Sequence, residues 1–203
     1  MNLDAASEYI LHRLRGELNA SLTYHCVEHT LDVLEATRRL ADSENIGEHS
    51  RAILETAALY HDAGMIMQYR DHETASALLA REMLPGFGYT PAEVEAVTGL
   101  IMVTKLPQRP YNHLEQILCD ADLDYLGRED FYVHSFSLQL EWRMNNVTTT
   151  TLAEWLGIQV SFLSEHRYFT HSAIAQRNET KLRHLGEIHD LWQKIRTNAG
   201  QPS

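Results

Sequence analysis

The sequence predicts an all-α protein, and three observations carry that reading. Apolar residues recur at intervals of three and four along most of the chain, which lines one face of an α-helix. Segments with that spacing open at capping residues and stop at proline or glycine. No stretch alternates apolar and polar residues in the way a half-buried strand requires.

Taken in order, "MNLDAASEYILHRLRGEL" mixes charges among its apolar residues and lacks the continuous apolar core of a signal peptide. Tyr24, Val27, Leu31 and Leu34 then form a helix face. A second helix carries the run "AALYHDAGM", in which His61 and Asp62 interrupt apolar sequence. The helix holding "ETASALLAREML" is expected to end at Pro85-Gly86. Thr90-Pro91-Ala92-Glu93 reads as a capping box with proline at the first helical position, opening a helix whose face is Val94, Val97, Leu100 and Ile101. "KLPQRPYN", with Pro107 and Pro110, is a loop. Asn112 with Glu115 opens the next helix, whose face is Leu114, Ile117, Leu118, Ala121 and Tyr125 and whose end falls to Gly127. The polar stretch Asn145 to Thr151 divides the bundle from the C-terminal helices, Thr151 with Glu154 opens another helix, and the final "NAGQPS" is expected to fray. The count is about eight helices.

With 203 residues, 44% of them hydrophobic, one domain with a substantial core is expected. A formal net charge of -11 argues against general binding to nucleic acid or anionic membranes. No stretch reaches the length of a membrane span, and the cytoplasm is the expected location. Cys26 and Cys119 alone make no disulfide framework.

The twelve histidines carry the chemistry. In "YHCVEHTLDV", His25 and His29 are four apart, which on a helix places them on one face. His61-Asp62 follows, and "ILCDADLDYLG" adds Asp120, Asp122 and Asp124 on an otherwise apolar segment. Burying an unpaired charge is costly, so such groups need a partner: a side chain, the backbone or a metal ion. Imidazole nitrogen with carboxylate oxygen suits a divalent ion such as Mn, Fe, Zn, Ni or Mg. A second His-Asp pair, His189-Asp190 in "LGEIHDLWQK", has polar neighbours and reads as a solvated helix face.

The order of these residues resembles the HD superfamily of metal-dependent phosphohydrolases. "EHT" at His29, "LYHDAG" at His61-Asp62 and "DADLDYLG" around Asp122 carry the likeness, which spans residues 20 to 130. It implies an HD-type helical bundle over about residues 20–130 with a helical extension over about 131–197. It also implies His29, His61, Asp62 and Asp122 as ligands of one divalent ion (Mn, Mg, Fe, Ni, Co or Zn), and a small phosphorylated substrate such as a nucleotide. The family's last aspartate sits in an Ala-Asp pair, which favours Asp122 over Asp120.

Related cyclic-nucleotide phosphodiesterases carry "YHN" before the metal histidine and use its histidine as a proton donor. Tyr24-His25 matches that layout with Cys26 in place of the asparagine, so His25 is either a general acid or a group that orients a ligand. His72-Glu73 matches a position that adds a ligand in two-metal members. Those members need a further histidine where this chain has Thr104 and Lys105, which counts against a full two-metal site and against the di-iron oxygenases of the same fold. His72 then stands as a second-metal ligand, a contact to substrate phosphate or a bridging water, or a surface histidine at a helix start. Lys105 is read as a cation for phosphate or as a helix-end lysine. His166, Arg167, Tyr168, Thr170 and Arg177 include anion donors but read as ordinary polar surface.

The function expected is hydrolysis of a phosphoester of a nucleotide or cyclic nucleotide, with Asp62, His25 and Lys105 in catalytic roles. The alternative is a metal-containing nucleotide-binding or sensor module without turnover.

Overall fold

The computed structural model describes residues 1–199, and among these there are nine α-helices and no strand. Gly200 to Ser203, part of the segment expected to fray, lie outside the described residues. The chain divides into two compact units at Leu123/Asp124. Among the described residues no helix is long and apolar enough to cross a membrane.

The first unit holds α1 (Leu3–Glu17), α2 (Val27–Ser43), α3 (Glu48–Tyr60), α4 (His72–Met83), α5 (Pro91–Val103) and α6 (His113–Asp122). Short 3-10 turns follow α3 at Ala63–Ile66 and α4 at Leu84–Phe87. Helix α3 is central: its last eight residues are buried, and it packs against α1, α2, α5 and α6. Leu54 and Tyr60 of this helix, and Ile10, Leu40, Ile101 and Leu118 of the helices it packs against, are fully buried. Each such side chain stabilises the fold by about 1.5–3 kcal/mol before entropy is charged against it.

The helix starts follow the expected punctuation. Thr90 and Glu93 form a reciprocal capping box, and Thr151 and Glu154 form another. The Asn112 side chain accepts from the Glu115 backbone N–H at 3.0 Å.

The helix ends depart from expectation in four places. Helix α2 begins at Val27, so His25 precedes it rather than sharing its face with His29. There the chain is extended at Cys26 (φ -110°, ψ 178°), whose N–H turns back to the Tyr24 carbonyl. Helix α3 ends at Tyr60, which leaves His61 as its C-cap and Asp62 just beyond it. Helix α6 stops at Asp122, and Asp124–Gly127 is a separate 3-10 turn, so Gly127 does not cap the helix that starts at His113. The 3-10 turn after α4 likewise carries the chain past Pro85-Gly86 before it leaves helical geometry.

The second unit contains that 3-10 turn with α7 (Phe131–Met144), α8 (Leu152–Glu165) and α9 (His171–Ala199). Its core centres on Phe131 and Trp155, and the Trp155 indole donates to the Ser135 hydroxyl at 3.1 Å. Helix α9 packs on α8 and on the 3-10 turn, where Gly127 meets the Arg177 backbone too closely for any Cβ.

Candidate metal centre

Three helix ends of the first unit deliver the four residues of the site. His29 lies in the first turn of α2, His61 caps α3, Asp62 follows it, and Asp122 is the last residue of α6. Polar groups reach the middle of a helical bundle most cheaply where helices end, because the apolar faces on either side stay intact.

The ligand atoms converge. His29 Nε2 and His61 Nε2 stand 3.4 Å apart. Asp62 Oδ2 lies 3.4 Å from the first and 3.1 Å from the second, and Asp122 Oδ1 lies 3.5 Å and 3.6 Å from them. An ion bound at about 2.0–2.2 Å in tetrahedral or octahedral geometry spaces neighbouring donors about 2.8–3.6 Å apart, a range that contains the spacing seen. Asp62 Oδ2 is buried without a hydrogen-bond partner, a costly state for a carboxylate oxygen unless a cation meets it. The donor set therefore fits a divalent ion.

Backbone contacts orient the rings. His61 Nδ1 sits 2.8 Å from the Ala58 carbonyl, which can only accept, so Nδ1 carries the proton and Nε2 offers its lone pair inward. His72 Nδ1 sits 3.1 Å from the Tyr69 carbonyl in the same way, and its Nε2 faces Asp62 Oδ1 at 3.2 Å. Asp62 thus divides its oxygens, one toward His29 and His61, the other toward His72.

His25 joins the second side of Asp62. Its ring centroid lies 5.3 Å from that of His72 and 6.1 Å from that of Tyr69, and His25, Asp62 and His72 form a second group able to hold a cation. His72 reaches this place through two backbone features. Asp71 adopts a left-handed conformation (φ 57°) at the start of α4. Gly64 lets the turn after α3 touch that start: a Cβ at Gly64 would lie 2.1 Å from the His72 carbonyl oxygen. The Gly64 N–H donates to the Ser76 hydroxyl at 2.7 Å, which completes the contact.

The charges are mutually dependent. Burial opposes charge on His61, yet Asp62 and Asp122 outweigh it and hold the imidazole pKa well above its ordinary value. Burial likewise opposes charge on His29 and His72, but Asp122 and Asp62 raise the first, and Asp62 and Glu73 raise the second. Burial also opposes charge on Asp62, but the histidines hold it well below the usual carboxylate range, and Asp122 is lowered as well. Protons on the histidines thus balance the two carboxylates, and a divalent cation substitutes for those protons.

The other sequence candidates fall elsewhere. Lys105 pairs its ammonium with Asp71 and lies outside both groups. Asp124 is buried in a two-point ion pair with Arg177 (2.8 Å and 3.0 Å) inside the second unit. His189 and Asp190 are exposed on α9, as their polar neighbours suggested. Cys119 is a buried thiol whose pKa is pushed far up by burial and by Asp122 and Asp120, which suits a core position. Sequence reading passed over Tyr69, Ser76 and Gln108; nothing in their local sequence distinguishes them, because their roles arise from long-range contacts.

Comparison with known families agrees with this geometry. The HD domain family model matches residues 26–124, a span that contains His29, His61, Asp62 and Asp122. No curated protein and no solved structure matches the chain.

Proposed function

The chain belongs to the HD superfamily, whose members are generally metal-dependent hydrolases, and from that premise we propose that it cleaves a phosphoester of a nucleotide or cyclic nucleotide. The gathering of His29, His61 and Asp122 within reach of one ion, with Asp62 Oδ2 buried 3.1 Å from His61 Nε2 and without a hydrogen-bond partner, carries this reading.

His29, His61, Asp62 Oδ2 and Asp122 Oδ1 would hold the ion, and this donor set suits Mn, Mg, Fe, Ni, Co or Zn. Bound there, a divalent ion acidifies a coordinated water and polarises a phosphoryl oxygen. Asp62 Oδ1, on the far side of the same carboxylate, accepts the proton of the attacking water. His72 Nε2, 3.2 Å from that oxygen, takes the proton on and returns Asp62 to its carboxylate form. His25 stands beside His72 and donates a proton to the leaving oxygen. His25 and His72 together face the phosphate. Lys105 supplies further positive charge once it releases Asp71.

A hydrolysis panel on the metal-stripped protein, reloaded with Mn, Mg, Ni, Co or Fe, tests the proposal. Nucleoside monophosphates, cyclic nucleotides, sugar phosphates and nucleoside polyphosphates are offered, with Asp62→Ala alongside. Turnover of one class, lost in the variant, is the expected result. Bound metal and nucleotide affinity without turnover would move the assignment to a binding module. Two irons with dioxygen uptake would make it an oxygenase.

A further inference from the structure

The loop between α5 and α6 sends one side chain to the metal ligands. Gln108 donates its Nε2 to Asp122 Oδ2 at 2.9 Å and to the Thr104 carbonyl at 3.4 Å. The other oxygen of Asp122, Oδ1, is the one that faces His29 and His61. The carboxylate is therefore split: one oxygen is held by an amide, and one is presented to the histidines.

The amide cannot be turned over. Exchanging its oxygen and nitrogen would set an acceptor against a carboxylate oxygen and against a backbone carbonyl, two contacts without a proton between them. With the nitrogen fixed toward Asp122, Oε1 is left buried with no hydrogen-bond partner in the protein. An unmet buried acceptor costs about 1–3 kcal/mol. That cost is offset if Oε1 accepts from a donor brought to the site from outside the chain.

We propose that Gln108 is a positioning residue that holds Asp122 as a one-oxygen ligand and keeps a neighbouring place for a water or a substrate hydroxyl. A free carboxylate can offer one or both oxygens to a divalent ion. Occupying Oδ2 with an N–H leaves Oδ1 as the ligand atom and spares a coordination position. This inference rests on the ligand set proposed above, of which Asp122 is one member.

The test uses the full chain, stripped of metal, and Gln108→Met, which keeps the length of the side chain while removing both polar atoms. Calorimetric titration with Mn2+ reads the affinity, and the visible absorption of the Co2+ form reads coordination number. The variant is expected to bind Mn2+ about 10–100-fold more weakly. Its Co2+ absorption is expected to fall, because a second Asp122 oxygen raises the coordination number. Should Gln108→Met not fold, Gln108→Asn is read in the same way, since its amide is one carbon too short to reach Oδ2. Unchanged Mn2+ affinity and an unchanged Co2+ spectrum in a folded variant overturn the role of Gln108 while leaving the ligand set standing. Absence of metal binding by the wild type overturns both.

Discussion

Replacing Asp62 with asparagine keeps the shape of the side chain and removes the charge on which both sides of the site depend. Its Oδ2 stands 3.4 Å from His29 and 3.1 Å from His61, and its Oδ1 stands 3.2 Å from His72. A four-ligand structural site for a divalent ion is worth about 10–16 kcal/mol at neutral pH, or about 2.5–4 kcal/mol for each ligand. Each 1.4 kcal/mol is tenfold, so one ligand corresponds to about 10²–10³ in affinity. Two effects pull toward the lower limit. Asparagine keeps a neutral oxygen donor, and without Asp62 the burial of His61 and His29 is less opposed, so protons compete less with the ion. Asp62→Asn is therefore expected to bind Mn2+ about 10²-fold more weakly by calorimetric titration of the metal-stripped protein. The His72 imidazole, raised by its nearness to Asp62 in spite of burial, should titrate lower in the variant by NMR. A folded Asp62→Asn protein with Mn2+ affinity within about threefold of wild type would refute the ligand assignment.

The remaining predictions concern pH, packing, caps and thiols. In the metal-free protein, His61 and His29 have raised pKa values, so their stabilising contribution is full below about pH 6.5 and is lost as pH rises through the raised values. Asp62 and Asp122 are depressed, so their contribution is present above about pH 3.9 and is lost only as pH falls through the depressed values. The Tm of metal-free protein, followed by calorimetry upward from about pH 6.5, should fall, and Mn2+ should abolish that fall; a rising metal-free Tm would contradict the charge balance. Gly64→Ala sets a Cβ 2.1 Å from the His72 carbonyl oxygen and 2.6 Å from the Ser76 nitrogen, so urea unfolding should show a loss of at least about 1–3 kcal/mol, with weaker metal binding as His72 and Asp62 are pushed apart. Thr90→Ala and Thr151→Ala each break a capping box and should each cost about 1 kcal/mol in the same assay, whereas no loss in either would show that the cap is replaced by water. Native protein should expose one thiol to an aromatic disulfide reagent, at Cys26, with Cys119 reacting only on unfolding; two fast thiols would place Cys119 outside the core.

How much of this was legible beforehand depends on the range of the interaction concerned. Thr90, Asn112 and Thr151 act on backbone groups three residues away, so local sequence was enough to locate those helix starts. The order of His29, His61-Asp62 and Asp122 was recognisable for a different reason: the words around these residues resemble those of a known family, whose model matches residues 26–124. Where reading went astray, the deciding contact was non-local or a small change in helix length. His25 left the helix face because α2 starts two residues after it, although the spacing of four was sound on a continuous helix. The partner of Lys105 in the fold, Asp71, lies thirty-four residues away and could not be read from the lysine's neighbours.

By itself the sequence determined the all-helical architecture, the main helix starts and the residues able to bind a divalent ion, since periodicity, capping and donor chemistry are properties of short segments. Only the tertiary structure decided how the aspartates are distributed: Asp122 turns to the histidines, while Asp124, two residues on, turns to Arg177. It also decided that Asp62 presents its two oxygens to two different groups and that Gln108 reaches Asp122. These outcomes depend on where helices end and which ends meet, and residues distant in sequence acquire their relative positions only when the helices pack.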